Sequence, residues 1–283
     1  MKFAYYPGCS LESTACEYNA SVIATFEALG VGLQELEDWN CCGASSAHSI
    51  NQNLALTLPT RNLAIAQKFG LDVVMPCAAC FNRHKMADYA LKNDPEKRAM
   101  LEETVDFKYS GDISILALLD VIANKIGLEQ VKSHVKKPLT GLKAVSYYGC
   151  LLVRPPEITQ FEDPDNPQIM NRILETLGAE PRPWSYSTDC CGGGLSLTKP
   201  TTAARMVSRL ADRAQEAGAQ AIVTSCPLCQ INLEMRQSKE NTKMPIFFFT
   251  ELIGLAFGLE QAKGWMSKHL ISPTPLLKDL MIL

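Results

Sequence analysis

The chain has 283 residues, 47% hydrophobic and 20% charged, enough to bury a core in two compact domains of ordinary size. A net charge of −3 and a pI near 5.9, with basic residues scattered rather than gathered into a stripe, leave no electrostatic footprint for nucleic acid. No apolar stretch ahead of Cys9 would serve as a signal peptide, and the most apolar run, Met244 to Leu259, is broken by Thr250 and Glu251 and is shorter than the ~20 residues that cross a bilayer; we expect a cytoplasmic protein that buries this run or turns it toward a partner.

In chain order, Lys2-Phe3-Ala4-Tyr5-Tyr6 reads as a short strand that ends at Pro7-Gly8 and delivers Cys9 at its carboxyl end. A helical pattern over Val22, Ile23, Phe26 and Leu29, closed by Gly30, leads through a short extended segment to Asn40-Cys41-Cys42-Gly43. A second helix, Leu54 to Phe69, stops at Gly70. The apolar strand Asp72-Val73-Val74-Met75 then runs into Cys77-x-x-Cys80, and helical spacing resumes over Phe81 to Leu91.

The same series begins again at Lys143. A strand to Tyr148 ends at Gly149-Cys150, and a helix over Ile169, Ile173, Leu174 and Leu177 is closed by Gly178 ahead of Asp189-Cys190-Cys191-Gly192-Gly193-Gly194. A helix from Thr201 to Ala217 stops at Gly218, the strand Ala221 to Thr224 enters Cys226-x-x-Cys229, and a helical pattern covers Gln230 to Lys239. Ten of the 11 cysteines fall into these two sets, and in each set 35 positions separate the second Cys of the pair from the Cys-x-x-Cys (Cys42 to Cys77, Cys191 to Cys226). Cys16 is left over.

The repeat runs past the cysteines, since Ile126 to Lys132 matches Phe257 to Lys263. The first copy takes up its extra residues in the charged stretch Lys92 to Ser110, and the second in the Pro- and Asp-rich run Arg154 to Gln168. Lys136-Lys137-Pro138 to Gly141 is the natural boundary, giving domains 1–140 and 141–283. Strands alternating with helices predict an α/β protein of two homologous Rossmann-like domains, each a small parallel sheet flanked by helices. Ligand sites in such units gather at the carboxyl ends of strands, where all ten cysteines would lie. The tail, Ile271 to Leu283, reads as a packing or docking arm.

A reducing compartment keeps thiols free, so a metal or redox role outranks a disulfide framework. Five thiolates are one too many for tetrahedral zinc, and adjacent cysteines aim in different directions around one small ion. A multi-iron centre accommodates both, and the N–H-rich helix start after each Cys-x-x-Cys would stabilise an anionic cluster and depress thiol pKa values. Glycines behind each Cys pair permit positive φ and close backbone approach. Structural zinc and dithiol exchange are the weaker readings, the latter because it needs one pair rather than ten ligands.

The arrangement Cys-(x)n-Cys-Cys-Gly-(x)33-Cys-x-x-Cys, from Cys9 to Cys80 and from Cys150 to Cys229, resembles the duplicated cysteine-rich CCG domain of the B-type polypeptide of heterodisulfide reductase and its bacterial relatives. The resemblance covers nearly the whole chain with no ligand missing. It implies two non-cubane 4Fe-4S clusters, one held by Cys9, Cys41, Cys42, Cys77 and Cys80, the other by Cys150, Cys190, Cys191, Cys226 and Cys229. It further implies a disulfide substrate between the clusters, reduced to two thiols, with electrons arriving from a ferredoxin-like 4Fe-4S subunit (the C-type polypeptide) that works with a flavin-containing subunit (the A-type polypeptide). Related copies occur in iron–sulfur subunits of some fumarate reductases, glycolate oxidases and lactate-utilisation proteins, so a non-catalytic electron-relay or sulfur-carrier-binding subunit is the alternative.

Beyond the cysteines the signals are thinner. His48, near the first Cys-Cys-Gly, is a candidate for protonating a product thiolate, whereas His84, His134 and His269 read as ordinary histidines. Arg83, Arg154 and Lys199 are the cations that proximity offers an anionic substrate. Cys16 reads as a small buried residue at a helix start, and Tyr6, Tyr147 and Tyr148 as packing residues at strand ends.

Overall fold

The computed structural model describes residues 1–44, 46–237 and 243–283. It contains two four-stranded, wholly parallel sheets of the same topology. β1 (Lys2–Tyr5), β2 (Gly32–Glu35), β3 (Val73–Met75) and β4 (Ile115–Ala117) lie in the order β2-β1-β3-β4. β5 (Lys143–Tyr147), β6 (Glu180–Pro181), β7 (Ala221–Thr224) and β8 (Ile246–Phe248) repeat it as β6-β5-β7-β8. The central strands β3 and β7 are buried along their whole length, as expected where helices cover both faces of a parallel sheet.

The chain is thus an α/β duplication. The predicted helices appear as Cys16–Ala28, Gln52–Phe69, Ala78–Asn93, Ile169–Thr176, Pro200–Glu216 and Pro227–Arg236; the last predicted residue of the sixth, Lys239, lies outside the described residues. Asn51 caps the second helix by accepting from the Asn53 and Leu54 amides, an N-cap arrangement. The edge strands β4 and β8 are three residues each and pass straight into helix, too short for a period-2 pattern to reveal. The apolar run Met244 to Leu259 supplies β8 and the wholly buried helix Phe249–Ala256, so it is core. The charged stretch Lys92 to Ser110 contains an added helix, Pro95–Val105. In the tail, Leu277 and Ile282 are buried and Leu280 lies against Gly141, so it is a packing arm.

The copies exchange their helices. Cys16–Ala28 of the first packs on Phe249–Ala256 of the second, while Ile169–Thr176 of the second packs on the segment 118–133 of the first. The first contact is sealed by a buried Ser21 Oγ to Thr250 Oγ1 hydrogen bond of 2.6 Å and by Tyr18 stacked on Phe248 at 4.0 Å. The connector is stitched to the second copy, both the Lys136 and Lys137 amides donating to the Ala256 carbonyl. One continuous hydrophobic core results, spanning both copies.

A paired cysteine-rich site

β1, β2 and β3 end toward the loops that carry Cys9, the Cys41-Cys42 pair and Cys77, and β5, β6 and β7 do the same for Cys150, Cys190-Cys191 and Cys226. Cys77 and Cys226 each cap a helix, Ala78–Asn93 and Pro227–Arg236, which places both Cys-x-x-Cys motifs at helix N-termini. Such positions favour sulfur anions.

The glycines fix the sulfurs' surroundings. Gly43 and Gly192, behind the two Cys pairs, adopt φ of +78°, a conformation costly for any residue with a Cβ. A Cβ at Gly8 or Gly149 would stand 2.9 Å from Cys80 Sγ or 3.1 Å from Cys229 Sγ, so the sulfurs sit directly against backbone. The loops are held from below by equivalent phenols. Tyr6 Oη donates to the Asn40 carbonyl at 2.9 Å and Tyr147 Oη to the Asp189 carbonyl at 2.7 Å, each the residue before a Cys pair. With Tyr148 they are fully buried, as packing residues.

Within the first set Cys9 and Cys41 approach to 3.6 Å and Cys42 and Cys80 to 3.4 Å; within the second, Cys191 and Cys229 lie 3.6 Å apart. The Cys42, Cys77, Cys80, Cys191, Cys226 and Cys229 side chains are buried, Cys150 is half-buried, and Cys9, Cys41 and Cys190 reach the surface. The two sets touch. Cys226 beside it pushes the Cys77 thiol up; Cys229 and then Cys77, with amides of its own helix, draw Cys226 well down. At the outer edge, contacts with Cys42 and Cys9 hold Cys41 at about 2, and contact with Cys150 holds Cys190 at about 6 despite burial. Gly192 N adds a bond to Cys190 Sγ at 3.3 Å.

Tyr18 sits where the two copies meet. Its hydroxyl lies 3.1 Å from the Pro76 carbonyl and 3.2 Å from that of Ser225, the residues immediately before Cys77 and Cys226. No sequence signal pointed to this role, because Tyr18 lies ahead of the part of its helix that the repeat preserves. Asn82 was equally hidden; it donates to the Leu151 and Arg154 carbonyls, clamping the loop after Cys150. His84 is fully buried, bonded to the Cys80 carbonyl at 2.8 Å and to Asn62 at 3.1 Å, and burial pushes its imidazole down to about 4, so it braces the loop as a neutral ring. Asn232 does similar work in the second copy by donating to the Cys191 carbonyl at 2.7 Å.

The cation candidates part company. Arg83 is half-buried between the sets: burial lowers its guanidinium pKa, the Cys42 and Cys150 sulfurs oppose this, and Nε donates to the Ala44 carbonyl at 3.1 Å. Arg154 is exposed and ion-paired with Asp165. Lys199 is exposed at the start of the helix Pro200–Glu216, and His48 is exposed with Nδ1 3.1 Å from the Ala44 carbonyl. Cys16 opens its helix as expected but is exposed rather than buried, its Sγ donating to the Ser13 carbonyl at 2.8 Å. The helix start leaves Cys16 on the outer face of its first turn.

All ten donors in the two sets are sulfur, in pairwise contact along each set. Among the described residues no group of three or more His, Cys, Asp or Glu side chains closes on a single metal-ion position. Thiol-only donors, glycine-lined backbone and inward amides suit iron–sulfur clusters, whose potential depends on hydrogen bonds to sulfur and on exposure.

A profile of the CCG cysteine-rich domain matches residues 3–83 and again 144–234. The chain belongs to the CCG cysteine-rich domain family. Among its relatives, an 8-methylmenaquinol:fumarate reductase membrane anchor subunit of Wolinella succinogenes is 32% identical, over 97% of this chain and 99% of the relative. A protein of Archaeoglobus profundus that is itself like the B-type polypeptide of heterodisulfide reductase is 27% identical over 93% of both chains. The B-type polypeptide of a ferredoxin/F(420)H(2)-dependent CoB-CoM heterodisulfide reductase of Methanosarcina acetivorans is 25% identical over 91% and 89%. The crystal structure of a hypothetical protein from Helicobacter pylori shares the fold, with a TM-score of 0.72 at 14% identity over 95% of this chain, which spans about half (51%) of that longer one. No described helix is long and apolar enough to cross a membrane.

Proposed function

We propose that this CCG protein is the iron–sulfur subunit of a heterodisulfide reductase-type complex, on the cytoplasmic side, and that it reduces a disulfide to two thiols at the seam between its two cysteine sets. The division at 140/141 separates the two cluster-bearing domains. Cys9, Cys41, Cys42, Cys77 and Cys80 would hold one non-cubane 4Fe-4S cluster and Cys150, Cys190, Cys191, Cys226 and Cys229 the other. The observation that carries this reading is the closeness of the two complete sets: the carbonyls just before Cys77 and Cys226, those of Pro76 and Ser225, lie 3.1 and 3.2 Å from the single Tyr18 hydroxyl. Reduction of a disulfide takes two electrons and two protons and releases two thiols, and a pair of clusters would supply the electrons one at a time. A ferredoxin-like subunit would deliver them, with a flavin subunit behind it.

The chain's own groups have definable parts in this. Arg83, half-buried between Cys42 and Cys150, is the cation best placed to orient an anionic substrate, ahead of Arg154 and Lys199. Tyr18 and Asn82 keep the two sets in register. His48, exposed beside the Ala44 carbonyl, would pass protons from solvent to a departing thiolate. The membrane-anchor name of the Wolinella relative, 32% identical end to end, favours a second reading, in which the clusters only relay electrons within a fumarate reductase-type complex.

Iron and acid-labile sulfide counts on anaerobic protein test the shared premise. We expect Cys42→Ser and Cys191→Ser each to lose about half the iron and one paramagnetic signal. With reduced viologen, the mixed disulfide of coenzymes M and B should then be cleaved by the wild type and not by either variant. Cluster-replete wild type that leaves every tested disulfide intact yet passes electrons to a quinone analogue would sink the catalytic reading and support the relay.

A further inference from the structure

A cavity of about 270 Å³ lies in the second copy, beside β5 and β6 and away from the cysteines; its floor is Ser146 and its rim includes Gln168, Pro183 and Trp184. Ser146 is 2% exposed, yet its Oγ has no hydrogen-bond partner, and the buried Oδ1 of Asn171 on the same wall has none either. The orientation of that amide is fixed by its neighbours. Gln168 Nε2 donates to Asn166, leaving Gln168 Oε1 to accept from Asn171 Nδ2 at 2.9 Å, so Asn171 turns its oxygen to the cavity. Buried polar atoms are nearly always paired, so these two groups are free to bond to whatever occupies the cavity.

The duplication shows what that occupant resembles. Ser146 pairs with Val223 on β7 as Tyr5 pairs with Val74 on β3, and Val74 and Val223 each stand three residues before a Cys-x-x-Cys. Tyr5 is therefore the structural counterpart of Ser146. In the first copy the Tyr5 ring fills this position, 2% exposed, and its hydroxyl donates to Asn19 Oδ1 at 2.7 Å. In the second copy the ring is missing, and an asparagine from the facing helix still offers its oxygen. One side of the wall is aromatic and the rest polar, with Arg182, Asn166 and Ser187 on it: Trp184 is held over the floor by Nε1 donating to the Ser146 carbonyl at 2.9 Å, and Tyr148 is fixed by the Met170 amide at 2.7 Å.

We propose that this cavity binds a small aromatic molecule bearing a hydroxyl group, which supplies the ring and the hydrogen-bond donor that Tyr5 supplies in the first copy. The ring lies against Trp184 and Pro183, its hydroxyl donates to Asn171 Oδ1, and Ser146 Oγ completes the contact. Calorimetric titration of the anaerobic holoprotein with p-cresol, the side-chain analogue of tyrosine, tests it, with toluene as the comparison. The expected result is one saturable equivalent of p-cresol and at least tenfold weaker toluene. Ser146→Tyr, which installs the missing phenol, should abolish binding, and Asn171→Leu should remove the preference for p-cresol over toluene. Tyr5→Ser should open a matching cavity and add a second equivalent. Absence of saturable binding to the wild type, equal binding of toluene, or p-cresol binding undiminished in both Ser146→Tyr and Asn171→Leu would overturn the proposal; if Ser146→Tyr does not fold, Asn171→Leu alone decides.

Discussion

Reactivity of the thiols follows their hydrogen bonds more than their sequence context. Cys41 and Cys190 occupy equivalent places in the two motifs, are both exposed, and are held at about 2 and about 6 chiefly by contact with neighbouring cysteines. Thiolates, not thiols, are alkylated. Brief iodoacetamide treatment of metal-free protein at pH 7, mapped by mass spectrometry, should therefore label Cys41 and Cys190 first. Cys77, Cys80 and Cys229, which are buried and pushed up by contacts with Cys226, Cys42 and Cys191 respectively, should be labelled last. At Gly8, φ of +76° and a Cβ position 2.9 Å from Cys80 Sγ leave no room for a methyl group. Gly8→Ala should cost about 1–2 kcal/mol in backbone strain and displace Cys80, so both the urea midpoint and the iron content of the first set should fall.

At the level of elements, the end of the second copy is tied down by charge. His269 lies between Glu234 of the helix Pro227–Arg236 and Glu251 of the helix Phe249–Ala256, at 2.9 and 3.0 Å, with all three side chains almost wholly buried. Glu17, on the helix Cys16–Ala28, faces the same cluster, and its own carboxyl is pushed up, chiefly by burial. Burial alone would lower the imidazole, but the two carboxylates outweigh it and hold His269 at about 10. A group raised in the folded state stabilises fully below its unfolded value. This contribution should thus be complete below pH 6.5, the ordinary histidine value, and be lost as pH rises toward about 10. His269→Gln should cost about 3–5 kcal/mol at neutral pH, because it strands two buried carboxylates, and the difference from wild type in urea titrations should shrink by pH 10. The sequence offered no hint of this cluster, since Glu234, Glu251 and His269 are separated by 17 and 18 positions and reach one another only through the packing of their elements.

Across the whole molecule, the exchanged helices make the two copies one folding unit. The hydrophobic core runs through both sheets without a break, and Tyr18 of the first copy contacts Phe248 and the Ser225 carbonyl of the second. Calorimetry of the intact chain should accordingly show a single transition with equal van't Hoff and calorimetric enthalpies; two resolved transitions would contradict a shared core. Tyr18→Phe keeps the stacked ring and removes only the hydroxyl between the Pro76 and Ser225 carbonyls. It should lower stability by about 0.5–1.5 kcal/mol without dividing the transition.

The sequence alone determined the duplication, the parallel α/β class and the gathering of cysteines at strand ends, because each rests on local signals: an apolar strand, a glycine stop, a fixed spacing between thiols. Local signals also announced the helices behind each Cys-x-x-Cys. What only the tertiary structure decided is how one copy meets the other. Contact between Cys77 and Cys226 depends on residues 149 positions apart in sequence, as does the choice of Arg83 over Arg154 and Lys199 as the cation between the sets. The exposure of Cys16, the neutral burial of His84 and the unfilled partner of Tyr5 at Ser146 are likewise properties of packed surroundings. A residue's type and spacing fix which bonds it can make; which neighbour arrives to make them is set by the fold.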